Sequence, residues 1–263
     1  MRLWVWLGLT VMSAAACRTH RGPEAPAPAG IERVTIRNGE DVLRRMHQVY
    51  AGIWYRTLTF TQRTAFADGR VETWYHAMAL PGRLRIDVAP VSAGNTRILR
   101  HDSVYAFQRG HRERATPLVH PLLVLGFDVY ADSVERTIDK VRGFGIDLAR
   151  LDQGSWLGRP VWIIGAQAGD STSPQVWIDS ERLVFLRLIE RRPTEAGSGD
   201  DAIIDTRFNR YQRLAGGWIA PEVEFRVNGA VRLTETYVDI RADEPLDPRA
   251  FEVDEYRWPE WLQ

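Results

Sequence analysis

The sequence is poor in cysteine: Cys17 is the only thiol in 263 residues. One cysteine makes no internal disulfide, and without a second thiol there is no thiolate metal site. Lysine is equally scarce, Lys140 standing alone among positive side chains that are otherwise arginine. The formal net charge is zero, so no field favours nucleic acid. The long apolar run from Leu3 to Met12 is too short to span a bilayer, which takes roughly 20 apolar residues. The motifs of common chemistries are missing too, with no HExxH, no GxSxG elbow, no P-loop and no GxGxxG after a strand. His20, His47, His76, His101, His111 and His120 share no metal-ligand spacing. Carboxylate pairs such as Asp200 with Asp201, or Asp139 near Asp147, are no more than chance placement produces. No enzyme, cofactor or metal site is expected, and no fixed-length repeat is visible.

What is present begins at the N-terminus. Arg2, the apolar run and the small residues Ser13 to Ala16 have the layout of a secretory signal peptide. Ala14-Ala15-Ala16-Cys17 resembles a bacterial lipoprotein signal, in which the cysteine after three small residues receives diacylglycerol and becomes the mature N-terminus. The alternative is an ordinary cleaved signal with a cysteine nearby. The resemblance implies that residues 1–16 are removed and that Cys17 is the lipid attachment site. In the sorting scheme it resembles, Asp after the cysteine retains the protein in the inner membrane. Arg18 stands there, which implies an anchor in the outer membrane, facing the periplasm. Residues 17–30, rich in Pro and Ala, read as a tether with too little apolar content to fold.

Residues 31–263 read as one domain, and 44% apolar with 10% aromatic content is ample for a core. From Asn38, a cap followed by Glu40 and Asp41, the residues Val42, Met46, Val49, Tyr50 and Ile53 fall on one helical stripe. The period then becomes two. Leu58, Phe60, Gln62, Thr64 and Phe66 share a face, Asp68-Gly69 marks a hairpin, and Pro81-Gly82 turns the chain into RLRIDV. Residues 116–145 interrupt the strands with an apolar helix around Leu122 to Phe127 and a polar one from Asp132 to Arg142. The second is capped by Asp132 or Ser133 and stopped at Gly143. Strands then return, with a tight turn at Asn228-Gly229 and a polar loop at 195–202. The expected fold is mainly β (α+β): a strongly curved antiparallel half-barrel of about ten or eleven strands with helices over its concave face.

GSWLGRPVWIIGAQAGDSTSPQVWIDSERLVFLRLI is similar to the central block of the LolA-like superfamily. The resemblance rests on Gly158, Val161 to Ile164, Val176-Trp177-Ile178-Asp179 and Leu183 to Ile189. The hairpin QRTAFADGRVETWYHAMALPGRLRID and the tail with Pro248 and Phe251 add to it. That superfamily includes lipoprotein carriers, their lipid-anchored receptors and RseB-type periplasmic sensors. It implies a groove for acyl chains, covered by a helical lid, and an early-strand Arg that holds the closed state; Arg63 and Arg85 are both candidates.

The groove or lid residues expected from this are Trp74, Leu122, Leu123, Leu125, Phe127, Trp162 and Trp177. The run from Leu122 to Phe127 is apolar all round, as a buried plug would be. Two functions follow. One is a lipid-anchored, non-enzymatic envelope protein that binds an acyl chain, a lipid or a lipoprotein, in outer-membrane lipoprotein sorting. The other is a sensor or scaffold that contacts another envelope protein.

Overall fold

A side-chain cap opens the first helix. The computed structural model describes residues 35–193 and 201–262; the expected signal peptide, Cys17, the expected tether and residues 195–200 of the expected polar loop lie outside them. Asn38 Oδ1 accepts from Asp41 N at 3.0 Å and starts α1, Gly39–Tyr50, whose Val42, Leu43, Met46 and Tyr50 are buried. The helix stops there because Gly52 takes a left-handed φ of 78°. Ile53, expected on the buried stripe, is therefore 57% exposed.

Five strands follow as a meander: β1 Thr57–Phe66, β2 Val71–Ala79, β3 Arg83–Val88, β4 Thr96–Arg100 and β5 Ser103–Gln108. Two short strands, β6 His111–Arg112 and β7 Thr116–Pro117, both pair with β5. The helical insert comprises α2 Pro121–Gly126, a single 3-10 turn Asp128–Tyr130, and α3 Val134–Gly143, capped by Ser133. Strands then resume with β8 Leu151–Trp156, β9 Arg159–Ile164, β10 Gln175–Asp179, β11 Phe185–Arg192 and β12 Ala202–Asn209. A small hairpin, β13 Gln212–Leu214 with β14 Gly217–Ile219, precedes β15 Glu222–Val227 and β16 Ala230–Ala242.

Fourteen of these strands make one sheet, in the order β6-β5-β4-β3-β2-β1-β16-β15-β12-β11-β10-β9-β8, with β7 also on β5. The last strand lies beside the first, and the sheet ends on two different strands, so it is an open half-barrel. Its strand count exceeds the ten or eleven expected. β6 and β7 have two residues each, and β8 reads LDQGSW. Segments so short or so polar carry no alternation to detect.

The sheet buries both faces along much of its length. On the inner face, Leu58, Phe60, Met78, Ile164, Ile178 and Leu188 join the helices in the main core. On the outer face, Ala77, Ala79, Ile98 and Phe107 pack under a C-terminal strap that includes Ala250 and Phe251. Arg85 belongs to this outer layer, donating to the Ala250 carbonyl at 3.0 Å. Arg63 follows inward-facing Gln62 and is exposed on the outer side. Both candidate arginines thus sit across the sheet from the lid, because their positions alternate with the inward set.

Candidate ligand-binding groove

Between α2 and the middle of the sheet lies a cavity of about 150 Å³. Its floor is Phe60 and Gln62 of β1 with Glu235 and Tyr237 of β16; β2 adds Trp74, His76 and Met78. Leu84 and Ile86 of β3 close one side, and Phe208 and Phe225 the other. The roof is His120, Leu122, Leu123 and Phe127. Register explains the convergence. Gln62 lies opposite both Trp74 and Tyr237, and Phe60 opposite His76, and residues directly opposite in antiparallel strands share a face.

The expected site residues divide accordingly. Trp74, Leu122, Leu123 and Phe127 line the cavity. Leu125 is fully buried in the core behind the roof. Trp162 lies opposite Ile178 and packs against the core outside the cavity. Trp177 is one residue out of that register and faces the other side. There its Nε1 donates to Gln175 Oε1 at 2.7 Å, its ring meets Trp156 edge-on, and Arg187 lies 4.8 Å from it. Trp177 therefore works in an outer-face stack and not in the groove. Gln62, His76, His120, Glu235 and Tyr237 were not foreseen as site residues. The alternation Leu233-Glu235-Tyr237 in the last strand was the signal for two of them.

The roof is held by packing. α2 has six residues, and so short a helix has little stability of its own. His120 caps it, Nδ1 accepting from Leu123 N at 3.3 Å, which places the proton of the neutral ring on Nε2. Beyond α2, Asp128 Oδ1 accepts from Gly82 N at 2.8 Å and ties the lid to the turn before β3. Tyr130 donates to the Leu183 carbonyl, and its ring stacks on Trp54 at 3.7 Å.

Burial shapes the charges around the cavity. It pushes the His76 imidazole down to about 3, helped by nearby His120. His120 falls to about 4, mainly through burial and then through the charge of Arg192. Glu235 is half-buried by accessible surface, yet protein packs densely round its carboxyl. That desolvation pushes it up to about 7, against the hydrogen bonds from Tyr237 and Gln62. Phe60 bridges the polar groups, stacked on His76 at 4.4 Å and against Tyr237 at 4.3 Å. The cavity thus has apolar walls and a polar floor whose imidazole is uncharged at neutral pH.

Asp128 supplies a test of the lid. Desolvation raises its carboxyl to about 7, with the Gly82 hydrogen bond and Lys140 opposing. The native state therefore binds the extra proton, so this contribution to stability is present at low pH and is lost as pH rises through about 7. Asp128→Asn keeps an acceptor for Gly82 but removes the charge. Its stability advantage over the parent is expected to be absent near pH 4 and to reach on the order of 2–4 kcal/mol by pH 8. Urea titrations across that range read it; an advantage independent of pH would refute the assignment.

No protein-family model and no curated protein matches the sequence. Solved structures do match. A putative outer membrane lipoprotein-sorting protein domain from Vibrio parahaemolyticus aligns over 81% of this chain and 96% of its own, at TM-score 0.52 and 11% identity. A DUF1329 family protein from Desulfovibrio piger aligns over 81% and 95%, at 0.51 and 13%. A LolA superfamily protein from Nitrosomonas europaea aligns over 82% and 98%, at 0.49 and 12%. The class is an open antiparallel half-barrel with a helical layer on one face. Its fold is LolA-like, as the central block of the sequence implied.

Proposed function

We propose that this chain is a lipid-anchored, non-enzymatic protein of the bacterial cell envelope that takes up an acyl chain of a lipid or lipoprotein beneath α2. The observation that carries this reading is the apolar-walled cavity between a short, packing-held helix and the sheet. Uptake there is exchange between hydrophobic environments, each buried CH₂ contributing about 0.8 kcal/mol. The fold shared with the Vibrio parahaemolyticus lipoprotein-sorting domain supports it, and Cys17, with Arg18 after it, supports an outer-membrane anchor facing the periplasm.

The test is native mass spectrometry of the full chain extracted from its membrane, with a monoacyl lipid and a triacylated lipopeptide as probes. Leu123→Trp puts a larger side chain into the roof and is expected to lower uptake of either probe at least about tenfold, with a stability change of about 1–3 kcal/mol. Equal uptake by parent and variant, or none by the parent, would sink the reading.

One observation favours a sensor or scaffold on the same fold. At about 150 Å³ the cavity is smaller than the roughly 300–1,000 Å³ of ordinary ligand pockets. The lid must therefore move to admit a whole chain. A crosslinked envelope protein that persists in the Leu123→Trp variant, with no bound lipid in the parent, would move the assignment to this second role.

A further inference from the structure

The side chain of His76 is unusual among those lining the cavity. It is only 7% exposed, and its Nε2 finds no hydrogen-bond partner among the described residues. A buried polar atom without a partner costs about 1–3 kcal/mol, and His76 lines the cavity, so this atom is where a ligand atom entering the cavity gains most from a hydrogen bond. The ring is held by its aromatic neighbours. Phe60 stacks on one face at 4.4 Å, with an interplanar angle of 12°, and the Tyr237 ring lies 6.5 Å away.

Building on the acyl-binding role above, we propose that His76 Nε2 is the specificity anchor of the cavity, donating a hydrogen bond to the carbonyl oxygen of an uncharged acyl group. The ligand then enters carbonyl-first, with its hydrocarbon against Trp74, Met78, Leu123 and Phe127. Two sources share this chemistry: an acyl ester of a lipid, and a free fatty acid in its protonated form. The surroundings favour the uncharged group. Burial keeps the imidazole neutral, its pKa lowered to about 3; His120, on the roof, is lowered to about 4; and Glu235 brings the nearest carboxyl of the floor. Among the cavity-lining residues there is no Arg or Lys to hold a carboxylate.

The experiment is displacement of a bound fluorescent alkyl probe from the full chain at near-neutral pH by three competitors of equal length: methyl dodecanoate, dodecanoic acid and dodecane. The ester is expected to bind about tenfold more tightly than the alkane, the worth of one well-placed hydrogen bond, and at least as tightly as the acid. His76→Phe preserves a ring against Phe60 and is expected to bind ester and alkane equally. An alkane that matches the ester in the parent, an acid that outcompetes the ester, or an ester preference that survives in the variant each overturns the anchor while leaving acyl binding intact. Failure of the probe to bind at all overturns both. Should the variant not fold, the imidazole nitrogen resonances of the nitrogen-labelled parent decide: Nε2 of His76 shifts with the ester and not with the alkane if the anchor is real, and an unmoved resonance rejects it.

Discussion

Arg85→Met is expected to destabilise the protein by about 3–5 kcal/mol, the cost of leaving a buried charge without its partner. The Arg85 and Asp87 side chains are each 1% exposed and are joined by a bidentate contact, with Nε to Oδ2 at 2.8 Å and Nη2 to Oδ1 at 2.9 Å. The guanidinium also donates to the carbonyls of Ala250 and Arg257 and lies 4.8 Å from the Trp261 ring. It is thus the polar bolt that fixes the C-terminal strap to the outer face of β3. Met matches its bulk and supplies none of these donors, leaving Asp87 with the hydroxyl of Thr96. Guanidinium titrations followed by tryptophan fluorescence read the loss, and the strap tryptophans Trp258 and Trp261 are expected to become more solvent-exposed. Arg85→Met with Asp87→Leu should recover much of the stability, because a buried ion pair replaced whole by apolar groups is often near neutral. A single variant within about 1 kcal/mol of the parent would refute the bolt.

Gly216→Ala is expected to cost about 3 kcal/mol or more, at the upper end of overpacking. A Cβ at Gly216 falls 1.7 Å from the Ile53 carbonyl oxygen, and one at Gly217 falls 2.6 Å from the Trp54 ring. At Gly216 the obstruction is the Ile53 backbone, which cannot swing aside as a side chain would. The consequence reaches the groove through a short chain of contacts. The β13–β14 hairpin seats Trp54, Trp54 stacks on Tyr130, and Tyr130 ends the turn that follows α2. Trp218, next to Gly217, also donates to the Tyr50 hydroxyl at 2.9 Å. A melting temperature lower by roughly 6–12 °C is the expected readout, together with weaker acyl uptake as the lid loosens. An unchanged melting temperature would show that the hairpin is free to shift.

Both residues were in plain view in the sequence without their roles being legible. Arg85 alternates with Leu84 and Ile86, and the resemblance to the LolA-like superfamily made it a candidate for holding the closed state, yet the structure places it on the face away from the groove. Alternation could not show that the strap would bury that face. Gly216-Gly217 reads as an ordinary turn, and only Ile53 and Trp54, more than 160 residues earlier, explain why no side chain fits. The same limit governs the tryptophans. In QVWID every residue is buried, since helices cover one face of β10 and the Arg187–Trp156 stack the other. Burial without alternation leaves Trp177 and Ile178 indistinguishable, and the register with β9 decides between them.

Local chemistry determined a good deal. The period-two runs, the turns at Asp68-Gly69 and Asn228-Gly229, the cap at Asn38 and the apolar insert at 122–127 foretold an antiparallel sheet with a helical interruption. These features depend on neighbours a few residues apart, and the chain carries them wherever it goes. The tertiary structure alone decided that β16 returns to pair with β1, and with that pairing Glu235 and Tyr237 arrive beside Gln62, Phe60 and His76. It also decided that His76, an ordinary residue in an alternating strand, is buried beside a cavity with a nitrogen that has no partner among the described residues. Desolvation and long-range register are properties of the assembled sheet, and they come into being only when distant strands meet.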